Sequence, residues 1–87
     1  MENMKLYLND EIGLDPKGIV GIFDMDSATV GEATKKFLSA SEKSGSLTIA
    51  TADIPVSFLV EENTGSIKVY LTRNAPKVLA RRAKRGL

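Results

Sequence analysis

The sequence of 87 residues contains neither cysteine nor histidine. The lack of cysteine excludes a disulfide framework and suits a reducing compartment, so we expect a cytoplasmic protein. Together the two absences remove the commonest general base, the commonest metal ligand and the best side-chain nucleophile. Acid–base chemistry would have to come from carboxylates alone. We therefore expect no enzymatic activity, no catalytic residues, and no cofactor, metal or small-molecule substrate.

Long apolar runs are also lacking. No stretch approaches the roughly 18 apolar residues of a membrane-spanning helix, and residues 1–4 lack the basic-then-apolar order of a signal peptide, so we expect no membrane partner. A domain of this size buries only about 60–65% of the surface that its unfolded chain exposes, and the sequence offers no disulfide or evident metal site as extra support. Self-association is the remaining support, which predicts a homo-oligomer.

The charges are distributed unevenly along the chain. Residues 1–72 carry six lysines against eleven acidic residues, a net charge of −5, whereas residues 73–87 carry six cations and no acid, a net charge of +6. A segregated basic end indicates an anionic partner, either a phosphate backbone or the acidic surface of another copy.

Apolar patterning predicts six strands. Residues 4–8 and 11–14 form an N-terminal hairpin, and the continuous apolar run 19–23 predicts a central strand buried on both faces. Further strands are expected at residues 47–50, 56–60 and 67–71, the last two joined by a turn at residues 63–65. The predicted core comprises Val20, Ile22, Phe37, Phe58, Val60, Val69 and Leu71, and alternation places Tyr7 and Tyr70 at the surface.

Two helices complete the prediction. Apolar residues recur at three- and four-residue steps over about 28–43, where Asp26 or Ser27 can cap the helix and Thr29 and Glu32 have capping-box spacing. A basic helix is expected over 75–87, capped by Asn74, and residues 1–3 are expected to be a disordered N-terminus. The order β-β-β-α-β-β-β-α predicts a single α+β domain, residues 1–87, with a mainly antiparallel sheet.

Two acidic motifs have a functional and a simpler interpretation. Asp24 and Asp26 follow a buried strand, as in the aspartyl nucleophile of haloacid-dehalogenase-like phosphatases, but acids in this place also suit a helix N-terminus, which we favour. Glu61 and Glu62 could bind a cation, but without a third nearby carboxylate a solvated turn is favoured.

The segment 81–85, Arg-Arg-Ala-Lys-Arg, is the strongest feature outside the core. It is either a solvated terminus or a phosphate-contacting surface, and Val78, Leu79 and Ala83 give it a partial apolar stripe for docking. Tyr7 and Tyr70 are candidates for stacking on bases, although contact at a protein interface is the favoured role.

Several segments together resemble a known family. They are Tyr7–Leu8 before an acidic hairpin, Ile19–Asp24, Phe37–Leu38, Ser57–Val60, Lys68–Leu71, and Leu79 with Arg82–Ala83. Over residues 4–83 the chain is similar to the RemB branch of the bacterial RemA/RemB extracellular-matrix regulators. These are small cytoplasmic proteins, and the RemA branch is a DNA-binding activator of biofilm-matrix genes that assembles into a ring-like homo-oligomer. The resemblance implies transcription regulation, binding to double-stranded DNA, and a homo-oligomer larger than a dimer with a ring as the implied form.

The chain departs from this family at the positions that contact DNA. In the RemA branch, contact is attributed to one arginine just before the central strand and to a pair in the loop before the strand that matches residues 56–60. Here those places hold Lys17–Gly18 and Ala52–Pro55, in which Asp53 would repel phosphate. The candidate nucleic-acid-binding residues are therefore Lys17, Arg73, Lys77, Arg81, Arg82, Lys84 and Arg85. The alternative function is a structural or adaptor oligomer that binds no DNA and docks its basic end on another copy.

Overall fold

The structure, a computed structural model, describes residues 5–25 and 31–86. Within these ranges the chain forms strands β1 (Leu6–Tyr7), β2 (Gly13–Leu14), β3 (Ile19–Asp24), β4 (Leu47–Ile49), β5 (Ser57–Asn63) and β6 (Ser66–Thr72), helices α1 (Glu32–Lys43) and α2 (Pro76–Gly86), and a 3-10 turn (Pro16–Gly18). This confirms the predicted α+β class and, approximately, the order of elements. The expectations for residues 1–3 and for capping by Asp26, Ser27 and Thr29 lie outside the described residues.

The main sheet has the strand order β3-β5-β6-β4. All neighbouring strands are antiparallel except β4 and β6, which are parallel. Strands β3 and β6 both run antiparallel to β5, and the crossover through α1 makes β4 run in the same direction as β3. The β5–β6 hairpin turns at Thr64 and Gly65, whose φ angles of 49° and 86° are left-handed. Two such residues in succession give the turn whose twist matches that of the flanking strands. The predicted second hairpin is therefore confirmed.

One face of this sheet is covered by the β1–β2 hairpin together with α2. Leu6, Leu14, Leu59 and Leu79 are buried there, with Tyr70 beside them. Leu59 and Tyr70 come from the central strands, and the other three come from the covering elements. This leucine-rich layer is what holds the hairpin and α2 on the sheet, because burying each side chain contributes about 1.5–3 kcal/mol.

The opposite face carries α1. Phe58, Val60 and Val69 are buried on this side, and Leu38 of α1 and Leu47 pack against them. Helix α1 contacts β4 and β6, the two neighbouring strands at one side of the sheet. Neither α1 nor α2 is long and apolar enough to span a membrane, as judged over the described residues.

Two predictions about the core are wrong. Val20 is 64% exposed and Phe37 is also exposed, whereas Phe58, Val60 and Val69 are buried as predicted and Ile22 and Leu71 are partly buried. The reason for Val20 is that Ile19–Asp24 is an edge strand and not a central one, with a bulge between Ile19 and Gly21 that leaves Val20 without a partner residue on β5.

Predictions for two polar positions also need correction. Tyr70 is buried, and Glu61 is buried with it, because their face of the sheet is the one covered by the hairpin and α2. The Tyr70 hydroxyl donates to Glu61 Oε1 at 3.4 Å. Only Glu62 of the acidic pair is exposed, and its carboxylate accepts from the backbone N–H of Gly65 in the turn.

Candidate nucleic-acid interface

Helix α2 lies along the edge strand β3. Its start is fixed beside the first residue of β5, where Ser57 Oγ donates to the carbonyl of Asn74. Ser57 pairs with Asp24, the last residue of β3, and α2 also contacts the 3-10 turn from which β3 begins. The helix therefore passes from one end of β3 to the other.

Asn74 does not cap α2 as the sequence suggested. The carbonyl of Ala75 accepts the first helical bond, from the N–H of Leu79 at 3.1 Å. The Asn74 side chain instead donates to the carbonyl of Leu8 at 3.2 Å and to Thr72 Oγ1 at 3.0 Å. Asn74 therefore ties the start of α2 to the N-terminal hairpin. The local sequence around a helix start does not reveal such a long-range contact.

Three cations of α2 form one line on its outer face. Leu79 is fully buried, whereas Lys77, Arg81 and Lys84 are exposed. Their spacing of four and three residues places them on the same side of a helix that turns about 100° per residue, opposite Leu79. They span about 10 Å along the axis at 1.5 Å per residue. We call Lys77, Arg81 and Lys84 the basic stripe.

The other predicted candidates lie around this stripe. Arg82 is exposed but turned towards β1, where its Nη1 donates to the carbonyl of Tyr7 at 3.2 Å. Lys17 is exposed on the 3-10 turn, whose backbone is held by Asp15 Oδ1 accepting from the Lys17 N–H at 3.0 Å. Arg85 belongs to the last turn of α2. Arg82 thus has a structural contact, whereas the stripe is presented to solvent.

Arg73 gains a position that the sequence did not predict. Its Nη1 donates to the carbonyl of Ile54 at 2.8 Å, so the guanidinium lies on the 52–55 loop. This is the loop at which the family resemblance implies a pair of arginines and this chain has Asp53. Arg73 comes from 19 residues further along the chain and supplies a cation there. The pairing of β5 with β6 creates this contact, so no local pattern could have shown it.

The resemblance implies DNA contact at Lys17–Gly18 and at the 52–55 loop, and these two segments lie at opposite ends of β5. Gly18, next to Lys17, packs against the backbone carbonyl of Glu62 near the end of that strand. The 52–55 loop precedes its first residue, Ser57. Helix α2 begins beside Ser57 and contacts the 3-10 turn, so the basic stripe lies between these two places.

The buried Tyr70–Glu61 pair lies on the face of the sheet that the N-terminal hairpin and α2 cover. Burial raises the pKa of the Tyr70 hydroxyl, and the negative charge of Glu61 and the hydrogen bond to it raise that pKa further. Each effect favours the neutral phenol. Among the described residues, no group of three or more acidic, histidine or cysteine side chains is arranged to hold a metal ion.

No protein-family model matches the chain, and no curated protein matches it. The candidate interface therefore consists of the basic stripe, with Lys17 and Arg73 near opposite ends of β5.

Proposed function

We propose that the chain is an oligomeric DNA-binding protein that regulates transcription, with extracellular-matrix genes of biofilms as the target class that the resemblance implies. The observation that carries the proposal is the basic stripe of Lys77, Arg81 and Lys84, exposed along one line of α2. No acidic residue occurs between Arg73 and Leu87, so no acidic side chain of this segment neutralises the stripe. Such a surface attracts phosphate.

The chemistry of the stripe favours contact with the phosphate backbone over the bases. Lysine and arginine that neutralise phosphates release condensed counterions, which supplies an affinity independent of sequence. Arg81 is the residue of the stripe whose planar guanidinium group can make a bidentate contact with guanine. Binding is therefore expected to depend strongly on salt and weakly on sequence.

Self-association strengthens such a surface. Three phosphate contacts from one copy provide modest affinity, and linked copies that engage one duplex together bind far more tightly than one copy alone. The thin core of a small domain favours association for a separate reason, since contact between copies adds buried area. The oligomer and the DNA-binding surface are thus parts of the same proposal.

The proposal is tested by removing the stripe. The variant Lys77→Ala/Arg81→Ala/Lys84→Ala is compared with Lys35→Ala/Lys36→Ala/Lys43→Ala, which removes three exposed cations from α1 on the opposite face of the sheet. Fluorescence anisotropy with a labelled duplex is expected to show weaker binding for the stripe variant, on the order of 100-fold at 0.1 M salt for three lost contacts, and a much smaller change for the α1 variant. Light scattering is expected to give both variants the mass of the parent.

A structural or adaptor oligomer is the second candidate, and the opposite net charges of the two parts of the chain favour it. In that case the stripe pairs with carboxylates of another copy. The stripe variant would then have a lower mass than the parent, and the parent would not bind DNA. If the stripe variant keeps both its mass and its DNA affinity, neither candidate uses the stripe and the proposal is wrong.

A further inference from the structure

An apolar groove lies between β3 and α1, on the face of the sheet opposite α2. Val20 and Phe23 of β3 form one wall, Ala33 and Phe37 of α1 form the other, and Phe58 and Val60 form the floor. Its volume is about 280 Å³, and none of the described residues that line it carries a charge. We call it the β3–α1 groove.

The groove is open because one helix is too narrow for this sheet. Four strands about 4.8 Å apart span roughly 14 Å between the outer strands, whereas a helix with its side chains is about 10 Å wide. Among the described residues, α1 lies mainly over β4 and β6 and not over β3. The opposite face has two covering elements, the hairpin and α2.

Strand β3 adds an open edge to this groove. Within the described residues it pairs on one side only, with β5. Val20 is 64% exposed, and Phe23 is 42% exposed although its ring stacks on Phe58 at 5.0 Å. Edge strands are usually protected from pairing by lysine, proline, a bulge or a covering element. The run from Ile19 to Phe23 has no charged residue or proline, its bulge is confined to Ile19–Gly21, and α2 lies along one face of the strand only.

The lining of the groove is aromatic, with Phe23, Phe37 and Phe58 among its described residues. Cores of protein interfaces are rich in aromatic residues and poor in charge. This composition is therefore typical of a surface that another protein chain covers.

We propose that two copies of this chain associate at the β3 edge of the β3–α1 groove, with β3 of one copy pairing antiparallel to β3 of the other across a twofold axis. A strand paired antiparallel with itself presents the same surface from both sides, which is what a twofold interface requires. Charge favours this occupant as well, because Lys17 precedes β3 and Asp24 ends it, so opposite charges of the two copies meet at each end. Val20 and Phe23 of the two copies then lie near each other across the axis, on the face that carries α1.

This arrangement has a consequence that rests on the proposed function. Edge-to-edge pairing continues the sheet through the axis, so equivalent faces of the two copies point the same way. Both α1 helices lie on one side and both α2 helices lie on the other. The dimer therefore presents two basic stripes to the same side, where one duplex is able to contact both.

The test places lysine on the open edge. Val20→Lys is compared with Ile54→Lys, which adds the same charge at a side chain that is 74% exposed on a loop away from the groove. Light scattering at micromolar concentration, without DNA, is expected to show the Val20→Lys mass falling at least twofold from the parent's, while Ile54→Lys keeps the parent mass. Circular dichroism is expected to show both variants folded, since Val20 contributes little to the core. A monomeric parent overturns the inference, as does a Val20→Lys variant with the parent's mass.

A second variant makes the test specific to this strand. The chain has no cysteine, so Val20→Cys and Ile54→Cys each introduce a single thiol. A short bifunctional maleimide is expected to link Val20→Cys into covalent dimers and to leave Ile54→Cys unlinked. Equal linking of both overturns the inference, and so does efficient linking of Ile54→Cys alone. Because neither measurement contains DNA, a failure of the stripe to bind duplex does not change their outcome.

Discussion

Phe58 is a buried aromatic side chain whose loss should strongly destabilise the fold. It is 3% exposed, packs with Val60 and Val69, and stacks on Phe23. Phe58→Ala is expected to reduce the free energy of unfolding by about 3–5 kcal/mol, from the lost transfer energy and the cavity left behind. That is a large part of the roughly 4–13 kcal/mol expected for a domain of this size. Chemical denaturation measures it, with exposed Ile54→Ala as the control expected to change stability by less than about 0.5 kcal/mol.

The buried Tyr70 hydroxyl should make the fold sensitive to alkali. Its pKa is raised in the folded chain, so the unfolded chain ionises first as the pH passes about 10. The free energy of unfolding is therefore expected to fall from that pH up to the folded pKa. Tyr70→Phe should remove this part of the decline, and at neutral pH it should cost about 1–2 kcal/mol because Glu61 loses its donor. Urea unfolding at a series of pH values measures both, with exposed Tyr7→Phe as control; identical pH profiles for Tyr70→Phe and the parent would refute the assignment.

At the scale of elements, α2 depends on Asn74 for its position. Asn74→Ala removes the bonds to the Leu8 carbonyl and to Thr72 Oγ1 and leaves the buried Leu8 carbonyl without this donor. A cost of about 1–3 kcal/mol is expected. Hydrogen exchange should show lower protection in α2 and the N-terminal hairpin, with β5 and β6 little changed. Lys77→Ala, an exposed change on the same helix, should leave the protection as it is. Loss of protection confined to the sheet would contradict this role.

The elements differ in how far the sequence could predict them. The β5–β6 hairpin was predictable because alternation and the Thr64–Gly65 turn act over neighbouring residues. The position of β3 was not, because its neighbour β5 lies more than 30 residues away and a continuous apolar run suits a central strand equally well. The burial of Tyr70 likewise depends on Leu6 and Leu79, which pack with it from both ends of the chain.

The same distinction applies to the candidate interface. The basic stripe could be predicted, since its helical spacing and charge are local properties of residues 77–84. The separation of Arg82 from it could not, because Arg82 contacts the carbonyl of Tyr7, 75 residues away. The contact of Arg73 with the 52–55 loop depends on strand pairing in the same way.

For the whole molecule, we predict a homo-oligomer larger than a dimer. Pairing through β3 leaves the other edge of the sheet, β4, with Ile49 exposed, as the site of a second contact. Light scattering at micromolar concentration should give a mass above that of two chains, and Ile49→Lys should reduce it to a dimer. A parent that is monomeric, with unfolding independent of concentration, would contradict the prediction.

The most direct test of phosphate contact by the basic stripe is the salt dependence of duplex binding, measured in parallel for the parent and for Lys77→Ala/Arg81→Ala/Lys84→Ala. Each lost phosphate contact reduces the slope of log Kobs against log salt by about 0.9, so the slopes are expected to differ by about 2.7 for each copy that contacts the duplex, whatever the DNA sequence. A parent that does not bind duplex at low salt, or two proteins with the same slope, would contradict it.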